Sequence, residues 1–310
     1  MQKKVLIAVD NSNPSQGLIQ YAAQMSSVIK NLHCVLLHIQ PMISLFLQEE
    51  ALKKASAKKE LDGVLQRNED SARKLLNDYK SELEGKGIAA ERIECITRAR
   101  NLGYAKDIIE LAQNKLYDAV LVGRRGISGI QKMYSGSVTS DILEQSQVIP
   151  VWLIDGNVPS GDILIAVDVS VASLRAVDHA SFILGNNPEA NLTLLHITSS
   201  AKNYSEADLE KQPNPALEEI VARGDKAFID RFYPSALKKF KDAGISENQI
   251  KMETLTGKMR VGKAIVDFAQ KGSFSTLVIG RRGINKSFFM GSASRYILNK
   301  ISDGAVWVVP

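Results

Sequence analysis

Short runs of Val, Ile and Leu alternate along the chain with stretches in which apolar residues recur every three or four positions. Five such runs fall in the first half, at 5–9, 34–39, 92–97, 119–122 and 151–154. Five more fall in the second, at 163–167, 192–197, 249–254, 276–279 and 305–309. Continuous apolar runs of this length suit strands buried on both faces, and the intervening period suits amphipathic helices. Between the third and fourth runs, "AKDIIELAQ" and "GKAIVDFAQ" set Ile108, Ile109 and Ala112 against Ile265, Val266 and Ala269. Asn13 followed by Pro14 reads as an N-cap and first helical turn. Strand alternating with helix predicts an α/β fold: parallel sheets with helices on both faces.

The two halves repeat each other. "VLIAVDNS" at 5–12 returns as "ILIAVDVS" at 163–170, and "LLHI" at 36–39 returns at 194–197. Gly87-Ile88 matches Gly244-Ile245, Gly123 matches Gly280, and Trp152 matches Trp307. The joint "DGNVPSGD" at 155–162 is a Gly/Pro/Asn cluster typical of a short connection. The chain therefore divides into domains at 1–156 and 161–310, each large enough for its own core. Between them in character stands the segment 41–85. Its "MISLFL" run reads either as a lid or contact patch or as a buried turn of helix, and a buried turn is the expectation. The following "QEEALKKASAKKE" places Glu49–Lys53 and Glu50–Lys54 four apart on a solvated helix face.

Composition narrows the function. The net charge is +5, from 39 basic and 34 acidic residues, with no long block of one sign, so nucleic acid is not implied as a partner. Cys34 and Cys95 both lie in apolar runs, which points to reduced thiols rather than a disulfide framework. The apolar run after the basic N-terminus stops at Asp10, too short for a signal-peptide core, and no stretch reaches membrane-spanning length. The expectation is a cytoplasmic protein with no membrane partner.

The chemistry concentrates in one loop, written twice: "GRRGISGIQKMYSGS" at 123–137 and "GRRGINKSFFMGS" at 280–292. Each follows the fourth strand of its half, and in an open parallel sheet ligands collect at the carboxyl ends of strands where the order switches sides. Gly123 and Gly126 allow close approach of backbone N–H groups to an anion. Gly136, Ser137 and Val138 open a helix whose N-terminal N–H groups favour phosphate, and Ser137 adds a hydroxyl. Arg124 and Arg125 supply charge, with at least one expected in solvent. Spacing alone leaves a structural turn and a phosphate cradle equally open. Asp10 and Asp168, just after the first strand of each half, read as ligand contacts or as acceptors for the N–H groups of the next turn. His38 and His196 read as neutral, hydrogen-bonded imidazoles. The chain has no Walker A sequence, no Gly-x-Gly-x-x-Gly after the first strand and no Gly-x-Ser-x-Gly elbow.

"LIAVDNS", "LLHI" and Gly-x2-Gly-x9-Gly-Ser together resemble the universal stress protein (UspA) family, over both halves. The resemblance implies two doubly wound domains, each a five-stranded parallel sheet in the order 3-2-1-4-5. It also implies an ATP site, with or without Mg, complete in the first half at Gly123, Gly126, Gly136 and Ser137. By the same resemblance Val9, Asp10 and Ile39 border the adenine, and Val122 and Val138 flank the phosphate loop, within which Arg125 is the candidate charge donor. The second half offers Val167, Asp168, Ile197, Ile279, Gly280, Gly283, Gly291, Ser292 and Ala293. There, however, seven residues instead of nine separate Gly283 from Gly291, so ATP is expected mainly in the first domain.

The function so implied is a nucleotide-responsive binding protein of the stress response, acting on an unidentified protein partner and not as an enzyme. The alternative is a scaffold or dimerisation protein with vestigial loops. Also by resemblance, the two fifth strands pair antiparallel as an internal pseudo-dimer, with a further homodimer open. The competing arrangement has Trp152 and Trp307 each packed beneath the helices of its own domain.

Overall fold

The computed structural model describes residues 1–124, 138–159, 161–168, 170–198, 215–256, 260–281 and 290–310. The chain forms two compact units, one of Met1–Ser26 with Asn31–Ile149 and one of Ser27–Lys30 with Pro150–Pro310.

In the first unit, strands β1 (Lys3–Ala8), β2 (Leu32–Gln40), β3 (Ile93–Ala99) and β4 (Ala119–Gly123) lie in the order β3-β2-β1-β4, all parallel. Their connections carry helices α1 (Asn13–Val28), α2 (Leu45–Lys53), α3 (Ala55–Gly85) and α4 (Tyr104–Asn114), and α5 (Val138–Gln145) follows β4. Val5, Leu6 and Ile7 are consecutive and all fully buried. Neighbouring residues of a strand point to opposite faces, so both faces of β1 are covered, as its unbroken apolar run requires.

The second unit repeats the plan with β6 (Ile163–Val167), α6 (Val171–Leu184), β7 (Leu192–Ile197), α7 (Pro215–Asp242), β8 (Ile250–Leu255), α8 (Val261–Lys271), β9 (Thr276–Gly280), α9 (Ser292–Lys300) and β10 (Gly304–Val309). The order β8-β7-β6-β9-β10 is the expected 3-2-1-4-5, and the first unit carries its first four places. The repeated Gly-Ile pair has a local cause. Gly87 and Gly244 adopt φ of 93° and 76°, a left-handed geometry that ends α3 and α7. The next residue's N–H then turns back, Ile88 to the Leu83 carbonyl at 3.1 Å and Ile245 to the Phe240 carbonyl at 2.9 Å. Both isoleucines are buried by that turn.

The fifth strand of the first repeat, β5 (Val151–Asp155), lies within the second unit. It pairs antiparallel with β10, Trp152 directly opposite Trp307, as the resemblance implied for the two fifth strands. The indoles stack with ring centroids 4.0 Å apart and planes 4° from parallel. The His179 ring of α6 meets both edge-on, at 5.9 and 5.8 Å. Trp152 Nε1–H donates to His179 Nε2 at 3.0 Å, which fixes that nitrogen as an acceptor. Trp152 therefore packs beneath a helix of the second repeat.

One expectation needs correction. "MISLFL" is not buried: Leu45 is 71% and Phe46 72% exposed, and α2 has no buried residue, because α2 rests on α3 by its opposite side. Cys95 lies on β3, where Glu94, Cys95, Arg98 and Ala99 are all exposed, whereas Cys34 on β2 is buried. Burial pushes the Cys34 thiol up to about 12. A thiol-reactive dye at pH 8 is therefore expected to modify Cys95 in the folded chain and Cys34 only after denaturation. Two equally fast thiols would contradict this placement.

Candidate functional site

The first and fourth strands are neighbours, so the chain leaving β1 and the chain leaving β4 emerge side by side at the carboxyl end of the sheet. Val9 continues β1 by one residue, its N–H donating to the Leu37 carbonyl at 2.9 Å. His38 Nδ1 lies 3.0 Å from the Val9 carbonyl, so this nitrogen carries the hydrogen and the ring is held in one tautomer. Val9, Ile39 and Val122 are buried beneath the site.

Asp10 is exposed and is held from several directions. Its N–H donates to Ser15 Oγ at 2.9 Å. Its Oδ1 accepts from the Ser15 hydroxyl at 2.9 Å and from the Ser12 hydroxyl. Tyr79 of α3 donates its hydroxyl to the Asp10 carbonyl at 3.0 Å. Burial raises the Tyr79 phenol above its ordinary range, keeping it a donor. The carboxylate thus accepts from the following turn, and the turn in turn fixes where it points.

Gly123 has a packing reason to be glycine: a Cβ there would lie 2.7 Å from Pro14 Cβ in the first turn of α1. Its carbonyl accepts from Thr139 Oγ1 at 2.9 Å, tying the start of α5 to the end of β4. Val138 is the first residue of that helix and half-buried. Arg124 is half-buried as well. Arg125, Gly126, Gly136 and Ser137 lie outside the described residues.

The second unit builds the same arrangement. Asp168 N–H donates to Ser173 Oγ at 2.9 Å, and Asp168 Oδ1 accepts from the Ser173 hydroxyl at 2.6 Å and the Ser170 N–H at 3.2 Å. His196 Nδ1 sits 3.1 Å from the Val167 carbonyl. Val167 and Ile279 are buried, and Ile197 is half-buried. A Cβ on Gly280 would come within 3.1 Å of Ala172, and Ser294 donates to the Gly280 carbonyl at 3.0 Å. Gly291 caps α9, its N–H donating to the Arg281 carbonyl at 3.2 Å, with Ser292 and Ala293 in the first turn. Arg281, the counterpart of Arg124, is buried. Gly283 lies outside the described residues.

Several anchoring residues escape a reading that looks only for glycines: Ser15, Ser173, Tyr79, Thr139 and Ser294. The serines carried a visible signal, since Asp-x-Ser-x-x-Ser occurs at 10–15 and again at 168–173. A groove of about 470 Å³ lined by Leu255, Arg260, Lys263 and Phe268 lies away from these residues, on α8 and the end of β8. Among the described residues no three His, Cys, Asp or Glu side chains are grouped to hold a metal. None of the described helices is long and apolar enough to cross a membrane.

Because β1 and β4 are neighbours, the Asp10 turn and the described start of α5 follow adjacent strands. Asp10 presents a carboxylate that suits hydroxyl or amine donors, and the N-terminus of α5 suits an anion. A ligand with donors at one end and negative charge at the other fits this polarity, and a nucleotide is such a ligand.

The universal stress protein family matches residues 1–155 and again 160–310. A universal stress protein from Archaeoglobus fulgidus shares the fold at 20% identity, with a TM-score of 0.65, covering 99% of this chain and 97% of that one. A functionally unknown protein from Pseudomonas aeruginosa does so at 16% identity, with a TM-score of 0.58, covering 99% and 92%. Comparison with curated proteins gives no match.

Proposed function

Since the chain belongs to the universal stress protein family over both halves, we propose that it is a nucleotide-responsive binding protein whose first domain, 1–156, holds ATP. The observation that supports this most is the pairing of a complete Gly-x2-Gly-x9-Gly-Ser loop with the Asp10 turn on the adjacent strand. Asp10 accepts from the nucleoside end, its Oδ1 being held by Ser12 and Ser15. Val9 and Ile39 border the base. Gly123, Gly126, Gly136 and Ser137 take the phosphates at the opening of α5, with Val122, Arg125 and Val138 beside them. ATP is taken with or without Mg, for which no group of three or more His, Cys, Asp or Glu stands assembled among the described residues. No dedicated catalysis is assigned: ATP alters the surface offered to a protein partner in the cytoplasm. The domain 161–310 binds weakly or not at all, because its loop is two residues shorter between Gly283 and Gly291 than between Gly126 and Gly136.

ATP is expected to raise the melting temperature of the whole chain by mass action, and calorimetry to give about one site per chain. Gly126→Val should abolish the shift. This position is a better probe than Gly123, where a side chain strikes Pro14 whether or not a ligand binds. A folded Gly126→Val chain with an undiminished shift rejects the assignment, and two equivalent tight sites reject the asymmetry. The scaffold reading is favoured by that same Pro14 contact and by the Ala172 contact of Gly280, which give the repeated glycine a packing reason in each half without any nucleotide. It is the conclusion if ATP neither binds nor stabilises.

A further inference from the structure

Asp10 is anchored from two very different distances along the chain. Its N–H goes to Ser15, and its carboxylate accepts from Ser12 and Ser15, all within five residues. Its carbonyl accepts at 3.0 Å from the hydroxyl of Tyr79, 69 residues away. The nearby bonds fix the carboxylate relative to its own turn. Only the distant bond fixes that turn relative to the rest of the domain, because the Asp10 carbonyl belongs to the peptide through which the chain leaves β1.

The helix α3 delivers the phenol. Ala72, Leu76, Tyr79 and Leu83 are its buried residues, spaced so that they share one face, and Tyr79 is 5% exposed. Desolvation, joined by the charges of Asp10 and Glu82, raises the phenol above its ordinary range against a smaller opposing effect of a hydrogen bond with Ser15. The proton stays where Asp10 needs it.

The second half repeats the nearby bonds, with Ser170 and Ser173 holding Asp168. It does not repeat the distant donor. The helices α3 and α7 end on matching Gly-Ile pairs, with Ile88 returning its N–H to Leu83 and Ile245 to Phe240. Tyr79 stands nine residues before Ile88, and Ala236 nine before Ile245. Ala236 is fully buried and carries no hydroxyl.

We propose that Tyr79 is a positioning residue of the first domain's nucleotide site, holding the Asp10 turn in place for the nucleoside end of the ligand. This rests on the nucleotide reading of that domain, and it gives the second half, with alanine at 236, a cause of weak binding besides its shorter loop. A turn already fixed in the free protein does not have to be ordered by the ligand. Without the phenol, the peptide after Asp10 is free to rotate, and part of the binding free energy is lost in fixing it.

Tyr79→Phe tests this, since it keeps the ring on the buried face of α3 and removes only the hydroxyl. Asp10 is exposed, so water replaces the lost donor and the unliganded fold is little affected. Calorimetric titration of the full chain with ATP and with inorganic triphosphate compares the two ends of the site. ATP affinity is expected to fall about fivefold to tenfold, the worth of one hydrogen bond. Inorganic triphosphate, which has no nucleoside end, should bind the variant as it binds the wild type. A merely structural role would weaken both ligands together, and circular dichroism checks that the variant folds. Undiminished ATP affinity in the folded variant, or an equal loss for triphosphate, would overturn the role of Tyr79 alone. A wild-type chain that binds neither ligand would overturn it together with the nucleotide reading.

Discussion

Trp152→Ala is expected to lower the stability of the second unit by about 3–5 kcal/mol, the range for deleting a buried aromatic side chain from a packed core. The position is fully buried, and three interactions end together. The stack on Trp307 at 4.0 Å is lost, the edge contact with His179 is lost, and His179 Nε2 loses its donor. The loss falls on β5, whose antiparallel hold on β10 spans only Val151–Asp155. Trp152→Phe separates the effects: it keeps an aromatic ring against Trp307 but not the N–H, and should cost about a third as much. The chain has two tryptophans, so in the alanine variant the fluorescence of Trp307 alone reports unfolding of this cluster in urea. A loss below about 1 kcal/mol would mean that the stack contributes little beyond surface contact.

The ten strands were legible from apolar runs because each run is short, continuous and bounded, and their observed ends differ by one or two residues at most. The duplication then carried the topology, since a sequence that repeats its strands repeats its sheet. What the pattern could not carry was the difference between an apolar run and a buried one. "MISLFL" has a core composition, yet α2 has no second layer above it. Cys95 sits in a run whose strand lies at the sheet edge, where half of the positions face water. Gly123, Gly280, Asp10 and Asp168 stood out by repetition. The reason for Gly123 was not legible, because Pro14 lies 109 residues away in sequence and meets it only once β1 and β4 pair. Asp10 divides in the same way: the sequence left it between ligand contact and turn acceptor, and the serines show it to be a turn acceptor whose outer face is still exposed.

The same cluster predicts that the second unit loses stability in mild acid. The His179 imidazole is pushed down to about 3 by desolvation, against a weaker opposing pull from Asp178, whose carboxylate is already held by Lys239 Nζ at 2.5 Å. Accepting the Trp152 N–H at Nε2 requires the neutral ring, so protonation there would replace a hydrogen bond by two facing donors. The folded form therefore resists a proton that the unfolded chain takes up near pH 6.5. Stability from this group is fully present above pH 6.5. It falls as the pH drops below that value, because the unfolded state then binds more protons, and the fall ends near pH 3 where the folded form also titrates. The folding equilibrium loses up to about a factor of ten per pH unit in that window. Part of His179 still meets solvent, which offsets some of the penalty and makes the decline gentler than that limit. Urea midpoints of the whole chain between pH 7 and pH 5, above most carboxylate titration, isolate the effect. His179→Gln keeps an acceptor for Trp152 without a titrating group and should flatten the curve; equal slopes for variant and wild type would show that another group governs the acid sensitivity.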